Sequence, residues 1–465
     1  MAKKYFLAID IGASSGRHIL GSTENGKLVL EEIYRFKNGA EKRGDKLVWN
    51  DASLFSSIVA GLKKCGEIGK IPEYVGIDTW GVDYALLDKN DNLIGEVYSY
   101  RDERTLKAIP EVESIVGEKE AYAETGICKQ VFNTVYQLYC DKKSGKLDKA
   151  ETFLMMPDYL HFLLTGVKKN EYTNASTTGL LSAKTRNWDY SLIKKLGLKE
   201  SLFKELSLPG TEVGSLKKEI AEEVGFNAKV VLPATHDTAS AVMAVPEENE
   251  PLYISSGTWS LMGIESPDEN TSEKARLAGF TNEGGYGKSV RFLKNIMGLW
   301  MIQCIKKEYD DKYSFTDFVD EARKVKDFNS TVEVNDLSFF APASMINAVK
   351  AYCEKTGQKV PRTVGEIVLC VYTSLAESYK AAADEIEELT GKKFGKINVV
   401  GGGCQNVLLN ELTAKITGRT VVAGPIEATA TGNILAQMLA SGDIASLSDG
   451  KKLIRDSFEI KEIKA

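Results

Sequence analysis

The stretch Asp10-Ile11-Gly12-Ala13-Ser14-Ser15-Gly16-Arg17 brings together a carboxylate, a turn of small residues and a guanidinium. A turn with short side chains leaves several backbone N–H groups free to point at a phosphate. Asp10, at the end of the preceding apolar run, suits a hard cation such as Mg²⁺ held through water, and Arg17 offers a guanidinium to a phosphoryl group. Taken alone, the same residues make a plain hairpin with an ion pair, which is the commoner outcome. They also satisfy Gly-x-Ser-x-Gly, the elbow that presents a nucleophilic serine. An elbow leads into a helix and follows several strands; this one follows the first strand, and Arg17–Thr23 runs as a strand into Asn25-Gly26. A serine hydrolase is excluded on both counts. Gly287-Lys288-Ser289 resembles the end of a P-loop, but Asn282 stands where that loop needs glycine, so it reads as a hairpin turn.

Two further segments carry chemistry. Thr235-His236-Asp237-Thr238 follows a strand at Lys229–Leu232 and Pro233, and opens a helix over Ala239–Ala244. A carboxylate at such a junction lies where α/β proteins place ligands. It could accept a hydroxyl proton as that oxygen attacks phosphorus, or simply cap the helix; both readings stay open on sequence. Gly401-Gly402-Gly403 follows a strand at Ile397–Val400 and opens a helix. Without side chains it lets a flat adenosine lie against backbone, and a merely flexible turn is the plainer alternative.

The elements that must position these residues follow from periodicity and turn chemistry. Tyr5–Asp10, Arg17–Thr23 and Lys27–Phe36 read as an antiparallel meander, with Asn25-Gly26 as its second turn. Ser53–Ile68 shows Leu54, Phe55, Ile58, Val59 and Leu62 on one helical face, and short helices are expected at Asp158–Leu164 and Ile193–Leu198. Tyr74–Thr79 and Asp83–Asp88 read as strands joined through Gly81. Leu252–Ser256, Gly257-Thr258 and Trp259–Glu265 repeat the opening hairpin, which hints at an internal duplication. Thereafter helix Thr363–Leu389, the strand at 397–400, helix Val407–Ile416, strand Thr420–Ala423 and helix Ala428–Ala440 give an α/β alternation with parallel strands. A polar linker with a proline near each end, Val245–Pro251, divides the chain into expected domains 1–247 and 248–465.

Composition narrows the classes. A chain of 465 residues, 43% hydrophobic and 27% charged, has room for two or three domains. A net charge of −6 argues against a general nucleic-acid binder. No apolar run reaches the ~20 residues that span a bilayer. The charged tip Met1–Lys4 precedes an apolar run that Asp10 ends too early for a signal peptide, so a cytoplasmic location is expected. Seven scattered cysteines without a Cys-x-x-Cys pair fit reduced thiols. Cys353 and Cys370 flank a helix–loop–helix stretch, and a disulfide between them is left open. The three histidines, at 18, 161 and 236, lack zinc-site spacing.

Asp10–Arg17, Gly257-Thr258 and Gly401–Gly403 together resemble the two phosphate hairpins and the adenosine loop of the FGGY carbohydrate kinases, from the actin-like, hexokinase-like ATPase superfamily. Asp78–Asp88, Thr235–Val242, Ser255–Leu261 and Asn295–Trp300 resemble the members of that family that phosphorylate L-rhamnulose. The resemblance runs from residue 5 to about residue 440. It is loose over Asp158–Trp188, and Tyr286–Ser289 matches no known contact. The resemblance implies two ribonuclease H-like α/β domains around a central cleft, ATP with Mg²⁺, and transfer of the γ-phosphoryl group to the 1-hydroxyl of the ketose. It implies ATP contacts from Ala13, Ser14, Ser15, Gly16, Arg17, Thr258, Gln303 and Gly402. Sugar contacts are implied for Gly81, His236, Asp237, Thr238 and Asn295, with Asp237 as proton acceptor and Asp10 near the metal. His236 then orients sugar rather than binding metal. A monomer or weak homodimer is expected. Kinases for L-fuculose or xylulose are the near alternatives, and a protein-directed ATPase of the same superfamily the distant one.

Overall fold

A computed structural model describes residues 3–465, so the charged tip read at Met1–Lys4 lies partly outside the described residues. Two compact units form, and the chain interleaves them. The first gathers the chain up to Ala244 with Glu265–Phe292 and Ala428–Ser457; the second gathers Val245–Ile264, Leu293–Glu427 and Phe458–Ala465. The chain first crosses between units at 244/245, but a single cut at 247/248 does not separate them. The helix Ala428–Ser441 returns to the first unit, where a buried face awaits it.

In the first unit the strands lie in the order 212–215, 229–231, 74–79, 6–11, 15–24 and 27–37. Phe6–Ile11 pairs antiparallel with Ser15–Glu24 and parallel with Tyr74–Thr79, which in turn runs parallel to Lys229–Val231. Phe6–Ile11 and Tyr74–Thr79 are buried along their whole length, as central strands covered on both faces must be. Leu7, Ile9, Val75, Ile77 and Val230 form their core with Leu54, Ile58 and Leu62 of the helix Asp51–Glu67.

The strand expected after Gly81 is present as Tyr84–Leu87, joined through Gly81 to Tyr74–Thr79. Tyr84–Leu87 leaves the main sheet and pairs antiparallel with Thr152–Met155. The cause lies at Val82-Asp83. Val82 adopts φ +68°, and the buried Asp83 carboxylate holds the bend: Oδ2 accepts from the Trp49 and Trp80 indoles (2.6 and 2.9 Å) and Tyr100 N (3.0 Å), and Oδ1 from Gln137 (3.1 Å). The diverted ribbon builds a second core with Tyr84, Leu86, Phe153, Met155 and Trp188.

The second unit repeats the plan of the first. Tyr253–Ser256 pairs antiparallel with Trp259–Ser266 and parallel with Lys396–Val400, which runs parallel to Thr420–Ala423. A hairpin followed by two successive parallel strands thus occurs in each unit, and the topology supports the duplication that the two glycine turns hint at. The helix Val364–Thr390 starts at a Thr363–Glu366 capping box and ends at Gly391 in the left-handed conformation. All seven cysteines are free thiols, Cys353 and Cys370 among them, both buried. Among the described residues no helix is long and apolar enough to cross a membrane.

Candidate active site

Neighbouring parallel strands of the first unit end on one side of the sheet, and their ends carry the acids. Asp10 and Asp78 stand opposite each other in the parallel register. Beyond the third strand the backbone is fastened by a Thr79 N to Thr235 O hydrogen bond (2.9 Å) and a parallel bridge between Thr79 and His236. Asp237 therefore enters beside the other two acids as the first residue of the helix Asp237–Met243. His236 holds the cap position; Asp237 instead accepts from the Thr238 backbone N–H and hydroxyl (3.1 Å to Oγ1).

The three acids differ in environment. Asp10 Oδ2 accepts from Arg17 Nε and Nη2 at 3.0 and 2.9 Å, so the hairpin with an ion pair is present as such. Asp78 is fully buried; burial, then the charge of Asp10, pushes its carboxyl well above the ordinary range, against the pull of the Asn433 amide 2.6 Å from Oδ2. Asp237 keeps 31% of its side chain exposed. Burial raises it, and the charge of Asp10 adds to the rise. Of the three, Asp237 combines solvent access with raised basicity, which is what a proton acceptor needs.

The loop leading to Asp237 is held from behind by a fully buried Glu171. Its carboxylate accepts from Thr173 N (2.8 Å), Thr235 N (3.1 Å) and Thr235 Oγ1 (2.7 Å). Burial raises Glu171, and these donors pull against the rise. His236 stands between Asp237 and a buried pair, Glu283 and Arg291, whose Oε2 and Nη2 lie 3.0 Å apart. Burial would raise Glu283, but the effects led by the Arg291 charge outweigh it and hold the carboxyl at about 2. Gly81 faces this group: a Cβ there would meet Thr177 at 3.1 Å and His236 Nε2 at 3.4 Å.

The glycine turns are closed by their own backbones. Gly12 N donates to Ser15 O (2.9 Å) and Asn38 Nδ2 to Gly12 O (2.8 Å). Ser14 is exposed at the tip, with Ala13, Ser15 and Arg17 half-buried, while Gly16 sits against the Phe36 ring. In the second unit Gly257 N donates to Trp259 O, and Trp300 N to Thr258 O at 3.1 Å, so the helix Trp300–Glu308 begins on this turn with Gln303 in its first turns. Asn295 lies half-buried on the strand Val290–Met297. Gly401 and Gly403 pack on Ser256, whereas a Cβ at Gly402 would meet nothing within 4 Å. Tyr286–Ser289 is a hairpin turn closed by Gly285 N to Ser289 O (2.8 Å).

The first unit thus gathers Asp10, Arg17, Gly81, His236, Asp237 and Thr238, and the second gathers Thr258, Gln303 and Gly402 around one hairpin. Sequence reasoning passed over Asp78, Glu171, Glu283, Arg291 and Asn433. Asp78 carried a signal: a charged residue inside a mostly apolar strand is costly unless it has a task or a partner. Among the described residues no group of three or more His, Cys, Asp or Glu is arranged to hold a metal. A single carboxylate such as Asp10 still fits a cation that keeps most of its waters.

The family models for the FGGY family of carbohydrate kinases match residues 5–244 with the N-terminal domain and 252–441 with the C-terminal domain. A rhamnulokinase of Halalkalibacterium halodurans is 51% identical, with 98% of each chain covered. One of Oceanobacillus iheyensis is 47% identical, over 98% of this chain and 97% of the relative. A solved gluconate kinase from Lactobacillus acidophilus shares the fold at a TM-score of 0.81 and 17% identity, over 100% of this chain and 94% of that one. With both domain models matched and full-length relatives near half identity, the chain belongs to the FGGY family of carbohydrate kinases.

Proposed function

We propose that this chain transfers the γ-phosphoryl group of ATP to the 1-hydroxyl of L-rhamnulose, giving L-rhamnulose 1-phosphate and ADP. The observation that carries this reading is Asp237, a raised and partly exposed carboxylate on a helix start beside Asp10 and Asp78; the names of the full-length relatives supply the sugar. As the 1-oxygen bonds to the γ-phosphorus and the bond from that phosphorus to the ADP oxygen breaks, Asp237 takes the hydroxyl proton.

His236, Thr238, Gly81 and Asn295 contact sugar in this reading. Ala13, Ser14, Ser15, Gly16 and Arg17 contact phosphate, and Thr258, Gln303 and Gly402 the nucleotide. Residues 1–247 carry the base, the phosphate turn 13–17 and most of the sugar contacts, and 248–465 carry Asn295 and the nucleotide contacts of Thr258, Gln303 and Gly402. Asp10 would hold Mg²⁺ through water, and the cation would neutralise phosphate charge there. The protein works in the cytoplasm as a monomer or weak homodimer.

The test is ADP production across a panel of ketoses. kcat/KM for L-rhamnulose should exceed that for L-fuculose and xylulose. A tenfold preference for another ketose would overturn the sugar assignment, and ADP release indifferent to every ketose would overturn the kinase.

A further inference from the structure

We infer that Arg291 and Glu283 fix His236 as a neutral imidazole with its proton on Nε2, which makes His236 a hydrogen-bond donor at the site and leaves the hydroxyl proton to Asp237. Arg291 has no exposed surface. Its Nε donates to Gly284 O at 2.7 Å, and its Nη2 lies 3.0 Å from Glu283 Oε2 and 3.0 Å from His236 Nδ1. A guanidinium has donors only and keeps its protons, so the Nδ1 that faces it must offer a lone pair. The competing arrangement puts a proton on Nδ1 for Glu283 Oε2, 3.3 Å away. That contact lacks hydrogen-bond geometry, and a proton on Nδ1 would oppose the Arg291 Nη2 donor at 3.0 Å. Glu283 instead balances the buried guanidinium charge.

The consequence is felt at the other ring nitrogen. Nε2 stands 3.5 Å from Asp237 Oδ1 and beside Gly81, where the missing side chain leaves room. Carrying a proton, Nε2 donates to a sugar hydroxyl or to the Asp237 carboxylate. It cannot take the hydroxyl proton itself. Arg291 and Glu283 are positioning residues acting through His236, and their kinetic effect rests on the proposed sugar-kinase reading.

The tautomer can be read without any sugar. The chain holds three histidines, and the other two provide references. His161 Nε2 accepts from Ile77 N (3.1 Å), which leaves its proton on Nδ1, whereas His18 Nε2 lies 3.2 Å from Ile58 O and donates. Long-range ¹H–¹⁵N spectra of the histidine-labelled full chain at neutral pH should show His236 as the neutral Nε2–H form. His236→Gln assigns the signal. A ring protonated on Nδ1, or on both nitrogens, overturns the inference. In Arg291→Met, KM for L-rhamnulose should rise about tenfold, the equivalent of about 1.4 kcal/mol, while KM for ATP stays within about twofold; Arg291→Lys, which keeps a donor, should recover part of the loss. Equal changes in both KM values, or no recovery in Arg291→Lys, also overturn it. If the sugar assignment is wrong, the kinetic arm reads nothing for L-rhamnulose in wild type, yet the tautomer result stands.

Discussion

At the scale of single residues, environment assigns the work among the acids. Asp237 is raised mainly by burial, so Asp237→Asn should lower kcat about a hundredfold or more, with nucleotide affinity nearly normal; a variant keeping a tenth of the wild-type kcat would exclude the base role. The proton acceptor works deprotonated, so kcat/KM should fall as pH drops through a value above the usual ~3.9 of an aspartate. Asp83 gives the matching stability effect. Four donors surround it, yet burial pushes it up to about 6. A carboxyl raised on folding contributes stability that is full below the unfolded value and is lost as pH rises through the folded one. The stability of wild type relative to Asp83→Asn should therefore fall by about 3 kcal/mol between pH ~4 and ~6.5 and stay level above. Chemical denaturation of both proteins across that range measures it, and a flat difference would show that Asp83 folds ionised.

At the scale of elements, the three glycines at 401–403 are not equivalent. Gly403 packs so that a Cβ would stand 1.9 Å from Ser256 Oγ, and Gly401 has φ +83° against Ser256 O, so both serve to seat the loop on the strand Tyr253–Ser256. Gly402 does neither. If the plain-turn reading were right, Gly402→Ala would be silent in every assay. If adenosine lies against this backbone, the same change should leave stability within about 0.5 kcal/mol of wild type and still raise KM for ATP severalfold. Gly403→Ala should lower stability by about 1–3 kcal/mol through overpacking. Thermal melts with and without ADP separate the two effects, and an unchanged KM for ATP in Gly402→Ala would remove this loop from the nucleotide site.

At the scale of the whole molecule, much was legible in the sequence because it is local. Asn25-Gly26 marks a hairpin, Leu54, Ile58 and Leu62 mark a helix face, and each glycine turn is set by its neighbours. What stayed hidden depends on contacts between distant segments. Nothing in the periodicity of Ala428–Ala440 says that this helix covers the first sheet, nor that Asn433 would meet Asp78, nor that His236 would meet Arg291. The return of that helix has a consequence for any attempt to cut the chain at its linker. Asn433 Nδ2 donates to Asp78 Oδ2 and Gly76 O, and Gln437 Nε2 to Leu7 O at 2.9 Å. Gly432 admits a close approach to the helix that carries Asp237: a Cβ there would lie 1.8 Å from Ser240 O. Without this helix, polar groups buried in the central strands lose their partners, at about 1–3 kcal/mol each, and the other face of the sheet, where Gly21 and Gly76 pack against Ile434, Asn433 and Gln437, loses its cover. A few such losses use up the 5–15 kcal/mol by which a domain is stable. A fragment of residues 1–247 should therefore show no cooperative melting transition by circular dichroism, and Asn433→Ala in the full chain should lower its melting temperature. A sharp transition in the isolated fragment would mean that the first unit completes its core without residues 428–457.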